Sequence, residues 1–148
     1  MKRPPTTARN KMMDLLAMRD HSEKELRAKL RKKEFSAEQI DQAIAYAKTH
    51  GWLPDTHDQQ AKLARQFADV LGKKYKGIHF INGYLKQKGL PPVPKDEREE
   101  LAKAQYLIKR KLTKGTNKSK NDLIKASRFL QARGFDSSTI RMALKQIK

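Results

Sequence analysis

The chain has 148 residues, with 34 Lys and Arg against 16 Asp and Glu, a formal net charge of +18, and no cysteine. The missing cysteines exclude disulfides, thiol chemistry and Cys-based zinc sites, and the charge asks for a polyanionic partner: nucleic acid, an anionic membrane surface or an acidic protein. Apolar residues make up 37%, below the usual value of roughly 45–50%, which argues for thin layers of helices rather than one thick core.

Residues 1–7 form a basic tail with Pro4-Pro5, expected to be flexible. Helical spacing begins at Ala8, with Met12, Leu15 and Leu16 at i, i+3 and i+4. Asp20-His21 breaks the run. Ser22 to Glu25 then reads as a capping box opening a second helix with Leu26 and Leu30 on its buried stripe. Phe35 precedes a second capping box, Ser36 to Gln39, and a third helix follows with Ile40, Ala43, Ile44 and Ala47, stopped by Gly51. Asp55 is expected to cap a fourth helix running to about Leu71, and Gly72 to Gly77 to form a basic loop. Ile78, Ile81 and Leu85 mark a fifth helix stopping at Gly89. Pro91, Pro92 and Pro94 cannot lie inside a helix. A sixth helix starts near Asp96, with acids in its first turns suiting the dipole, and carries Leu101, Ala104, Ile108 and Leu112. Thr113 to Ser119 reads as a flexible polar loop. A seventh helix runs to Arg133 and ends at Gly134. An eighth follows Asp136 with Ile140, Ala143, Leu144 and Ile147.

The sequence resembles itself. A shift of 100 residues sets Leu30 on Leu130, Lys33 on Arg133, Phe35 on Phe135, Ile40 on Ile140 and Ala43 on Ala143. A shift of 55 sets Leu26 on Ile81, Leu30 on Leu85 and Phe35 on Leu90. A period of about 45–55 residues is that of stacked helical repeats, none of which buries its apolar face alone. The expected fold is therefore all-α: tandem three-helix repeats in an elongated curved array. The boundaries are a tail 1–7, a first repeat 8–53, a second repeat 54–94 shortened where the prolines replace its third helix, and a third repeat 95–148.

Basic residues are the main functional candidates, and they are spread along the chain: 12 basic against 7 acidic residues in 1–53, 7 against 3 in 54–94, and 15 against 6 in 95–148. The candidate contacts are Arg27, Arg31, Lys32, Lys73, Lys74, Tyr75, Lys76, Lys86, Lys88, Lys109, Arg110, Lys111, Arg128 and Arg133. Each basic side chain alone could equally solvate a helix end; the excess as a whole points to phosphate or an acidic groove. Tyr75, followed by Phe80 and Tyr84, interleaves rings with charge, as stacking on unpaired bases requires; a loop Tyr can equally serve to cover a helix end. Phe35, Phe67, Phe129 and Phe135 fall on apolar stripes and read as core. His21, His50, His57 and His79 read as surface or capping residues, without metal-ligand spacing. No phosphate-binding Gly loop and no nucleophile–His–acid set is present, so the chain is expected to act by binding, with no cofactor. Neither a signal-peptide stretch in Met1 to Asn10 nor a window of roughly 18 apolar residues is found, so a soluble cytoplasmic protein is expected.

Arg19-Asp20-His21-Ser22-Glu23-Lys24-Glu25-Leu26-Arg27-Ala28-Lys29-Leu30 resembles the opening signature of the RecX family. Phe129 to Phe135 with Ile140 and Ala143-Leu144 is similar to its closing one, and Gly51 to Asp55 resembles the junction between its first two repeats. The likeness covers 9–90 and 101–148. Departures lie in the middle: the glycine-rich segment before the fifth helix is only Tyr75-Lys76-Gly77-Ile78, Phe80 stands where the family frequently has Arg, and the third helix of that repeat is missing. The resemblance implies a modulator of the RecA recombinase that binds along or at the ends of its filaments on single-stranded DNA and suppresses ATP hydrolysis and strand exchange; a monomer that also contacts single- and double-stranded DNA is expected. The rival reading is a general, non-sequence-specific nucleic-acid-binding helical protein without a RecA partner.

Overall fold

The computed structural model describes residues 6–111 and 119–145; the positions read as Leu112, Ile147, the start of the tail and most of the 113–119 loop lie outside them. The described residues form eight α-helices and no strand: α1 (Ala8–Met18), α2 (Glu23–Lys32), α3 (Ala37–Thr49), α4 (His57–Lys73), α5 (Ile78–Gln87), α6 (Glu97–Lys111), α7 (Lys120–Ala132) and α8 (Ser137–Lys145). None of these helices is long and apolar enough to cross a membrane.

The chain forms two compact units, residues 1–64 with 86–91, and residues 65–85 with 92–148. In the first, α1, α2 and α3 enclose a core of Met12, Leu26, Leu30, Ile40, Ala43, Ile44, Ala47 and Leu53. In the second, α6, α7 and α8 enclose Ala104, Leu107, Ile108, Leu130, Phe135, Ile140 and Ala143. Phe35, Phe67 and Phe129 are half-buried at the margins rather than central.

One backbone device recurs. Glu34, Gly51, Tyr75, Gly89 and Gly134 all have left-handed φ, between 61° and 96°, and each follows a helix end. At four of them the next N–H bonds back to a carbonyl five residues earlier: Phe35 to Leu30, Trp52 to Ala47, Lys76 to Leu71 and Phe135 to Leu130, at 2.9–3.4 Å. This is the Schellman ending, which satisfies orphan carbonyls and turns the chain sharply. The 100-residue self-similarity thus extends to the backbone: Leu30, Glu34 and Phe35 are bonded as Leu130, Gly134 and Phe135 are.

The capping boxes of Ser22 and Ser36 form as read, and Asp96 and Asp136 accept from Glu99 and Thr139 N–H groups. The cap of α4 is Thr56, not Asp55. Its hydroxyl accepts from Gln59 N–H at 3.1 Å and the Gln59 side chain accepts back from Thr56 N–H, while Asp55 faces Lys48 at 3.6 Å. The helix also runs on through Lys73, so Gly72 and Lys73 are helical and the loop begins at Lys74. Residues 88–96 hold no helix. In place of one, the Asn82 side chain brackets Val93, accepting from its N–H at 2.9 Å and donating to its carbonyl at 3.1 Å.

His21 is no surface residue. It is 2% exposed, donates from Nδ1 to the Arg19 carbonyl at 2.9 Å and accepts at Nε2 from Lys29 at 2.7 Å. Burial, with the charges of Arg19 and Lys29, lowers its pKa against the carbonyl bond that raises it. Beside it, buried Glu25 takes a two-pronged bond from Arg19, the Ser22 N–H, and the Lys88 ammonium at 3.2 Å. Ser22 Oγ donates to the Lys88 carbonyl, so this cluster fastens residues 86–91 onto α2.

Burial works to raise the Glu25 pKa, but bonds from Arg19 and Ser22 and the charge of Lys88 outweigh it and hold the carboxyl at about 2, against an ordinary 4.5. A depressed folded pKa means stability that is full above about pH 4.5 and lost as the pH falls toward 2. The loss should reach about 3 kcal/mol. Urea midpoints followed by emission of Trp52, the single tryptophan, should fall over that window in the native chain and far less in Glu25→Gln. Equal acid sensitivity in both would place the linkage elsewhere.

Candidate nucleic-acid interface

The second unit gathers rings and cations around one tight backbone contact. Gly77 N–H donates to the Arg133 carbonyl and His79 N–H to the Gly134 carbonyl, each at 2.9 Å. A Cβ on Gly77 would collide with the backbone of Gly134 and Phe135, and one on Gly134 with the backbone and Cβ of Phe80. Gly134 is also left-handed, so glycine is required there twice over. The loop after α4 is thereby fixed to the α7–α8 corner.

Arg133 strengthens the join. Its guanidinium donates to the carbonyls of Lys74 at 2.5 Å and Tyr75 at 3.2 Å. The Lys103 ammonium donates to the Lys76 carbonyl at 2.7 Å. With its carbonyls held, the loop presents its side chains. Tyr75 stacks on Tyr106 of α6, with ring centroids 4.3 Å apart and planes 16° from parallel. Hydrogen bonding to Tyr106 pushes the Tyr75 phenol above its ordinary pKa. Arg110, one turn on from Tyr106, reaches its hydroxyl at 3.4 Å. Lys111 and Arg133 lie over the Phe129 ring at 4.5 and 5.7 Å, and Lys76 over Phe80 at 4.5 Å.

A continuous chain therefore runs Arg110–Tyr106–Tyr75–Arg133–Phe129–Lys111. Of the candidates read from sequence, the fold brings together Lys74, Tyr75, Lys76, Arg110, Lys111 and Arg133. Lys73, Lys109 and Arg128 are exposed in the same unit. The others belong to the first unit. Arg27 is held between Glu23 at 3.1 Å and Asp41 at 2.7 Å; hydrogen bonding to Asp41 above all raises its pKa. Lys88 is bound to Glu25. Arg31, Lys32 and Lys86 are exposed. In the second unit Tyr84 is half-buried, edge-on to Phe67. Sequence reasoning passed over Tyr106, although its placement four residues before Arg110 puts ring and cation on one helical face. Among the described residues no group of three or more His, Asp or Glu is arranged to hold a metal ion.

The backbone clasp predicts opposite signs at two neighbouring glycines. Gly77→Ala should destabilise the second unit by at least about 1–3 kcal/mol, as overpacking does. Gly72→Ala, in helix α4 with open space around it, should stabilise by about 0.5–1 kcal/mol. Thermal melts of the two variants check this; a harmless Gly77→Ala would refute the clasp.

Comparison with known proteins bears on the whole chain. Residues 8–46 match the family description "RecX, first three-helix domain", and residues 97–144 match "RecX, third three-helix domain". Regulatory protein RecX of Vibrio cholerae serotype O1 (strain ATCC 39315 / El Tor Inaba N16961) is 34% identical over 146 residues, covering 93% of this chain and 91% of that protein. Regulatory protein RecX of Pectobacterium atrosepticum is 30% identical over 145 residues, covering 83% and 86%. The crystal structure of RecX from Lactobacillus salivarius shares the fold, with a TM-score of 0.74 at 16% identity, covering 94% of this chain and 93% of that one. With both outer three-helix domains matched and full-length relatives at this identity, the chain belongs to the RecX family of regulatory proteins.

Proposed function

We propose that this RecX-family protein binds a RecA-like recombinase filament and DNA and modulates, mainly by inhibition, the filament's ATPase and strand exchange. It works by contact rather than catalysis, as a cytoplasmic monomer. Its chain divides into the tail 1–7, a first repeat 8–53, a shortened repeat 54–94 and a third repeat 95–148. The filament partner rests on family membership; the nucleic-acid part rests on the Tyr75–Tyr106 stack flanked by Arg110, Lys111 and Arg133.

Physical chemistry supports this use of the corner. Cations facing phosphates release condensed counterions, which drives binding without reading sequence. Rings beside them add sequence-tolerant stacking. Tyr75 also sits at a φ of 61°, a conformation costing a bulky residue of order 1–3 kcal/mol. Glycine would relieve that strain but could not make the stack.

Titration into a RecA ATPase assay on single-stranded DNA tests the reading, with an unrelated basic helical protein as control. Inhibition should appear at protein levels far too low to coat the DNA. Inhibition that tracks DNA occupancy point for point would remove the filament from the account.

A further inference from the structure

A second set of rings lies in the first unit, among residues that the interface above does not include. Tyr46 of α3 and His50, the residue that caps the end of that helix, have ring centroids 4.2 Å apart. The left-handed Gly51 then returns Trp52 to the helix end, where its N–H donates to the Ala47 carbonyl at 2.9 Å. Trp52 thereby lies 4.7 Å from His50, within 31° of parallel, and 5.7 Å from Tyr46, edge-on. Arg9 of α1 places its guanidinium 4.0 Å from the Tyr46 centroid. His50 Nδ1 donates to the Tyr46 carbonyl at 2.9 Å, which fixes the imidazole between its two neighbours.

Of the ladder's rings, Tyr46 leans on the margin of the core. Leu53, the residue after Trp52, fills that end of it at 2% exposure, whereas Trp52 leaves 39% of its surface in solvent. A preorganised run of rings, ended by a guanidinium on a chain of charge +18, has the composition of a stacking platform for single strands. We infer that the Arg9–Tyr46–His50–Trp52 ladder is a second contact for single-stranded nucleic acid, with an unpaired base stacking on Trp52. This inference rests on the nucleic-acid part of the function proposed above.

The test uses the full chain and a labelled oligo-dT, with label anisotropy and Trp52 emission read in one titration. Emission should be quenched with the same midpoint as the anisotropy rise. Trp52→Leu should bind about five- to a hundred-fold more weakly. Its log–log salt slope should be unchanged, because no charge is removed. Trp52→Phe should recover most of the affinity. The quench in the native chain stands even if a variant folds poorly. An anisotropy rise with emission and Trp52→Leu affinity unaltered overturns the ladder and leaves nucleic-acid binding intact. No anisotropy rise at low salt overturns both.

Discussion

The left-handed residue after a helix is the constraint on which the remaining structure depends. Five of the eight described helices end this way, at Glu34, Gly51, Tyr75, Gly89 and Gly134. Each places one residue at positive φ so that the following segment can return across the helix end. With only 37% apolar residues, short helices must meet at sharp angles if each is to bury its single stripe. The same device also builds both ring clusters. Gly51 aims Trp52 back at His50, Tyr75 is itself at such a corner, and Gly134 is the corner against which Gly77 closes.

Local chemistry made much of this legible. A Ser with Glu or Gln three residues on encodes a cap within one turn, and the Ser22 and Ser36 boxes form as read. The α4 start shows the limit: Asp55 and Thr56 are both competent caps, and it is the Thr56 hydroxyl that takes the Gln59 N–H, while Gln59 Oε1 accepts from the N–H groups of both. What sequence could not show are pairings between distant segments. His21 looks like a surface or capping residue and Glu25 like a helix cap and no more, until Lys88, more than sixty positions away, closes over Glu25. Tyr106 looks like one more helix residue until Tyr75 lies on it.

The same long-range pairings sort the cations. Arg27 and Lys88 are paired with carboxylates of the first unit, Arg27 at the surface with Glu23 and Asp41 and Lys88 with the buried Glu25. Arg133 does two things at once: its N–H groups fix the Lys74 and Tyr75 carbonyls while its plane covers Phe129. Arginine's rigid planar fork makes this double use possible. Counting charges by segment therefore locates the excess but not the residues that present it. In the second unit Lys76, Arg110, Lys111 and Arg133 set their charged ends against rings, while Lys73, Lys109 and Arg128 stand exposed.

The central claim is that the corner built by Gly77, Gly134 and Arg133 meets the nucleoprotein partner. Backbone hydrogen exchange, read segment by segment for the free chain and for the chain bound to a RecA filament on single-stranded DNA, addresses it most directly. The account predicts added protection over residues 72–80, 103–111 and 129–135. Binding that protects other segments and leaves these three exchanging as in the free chain would contradict it.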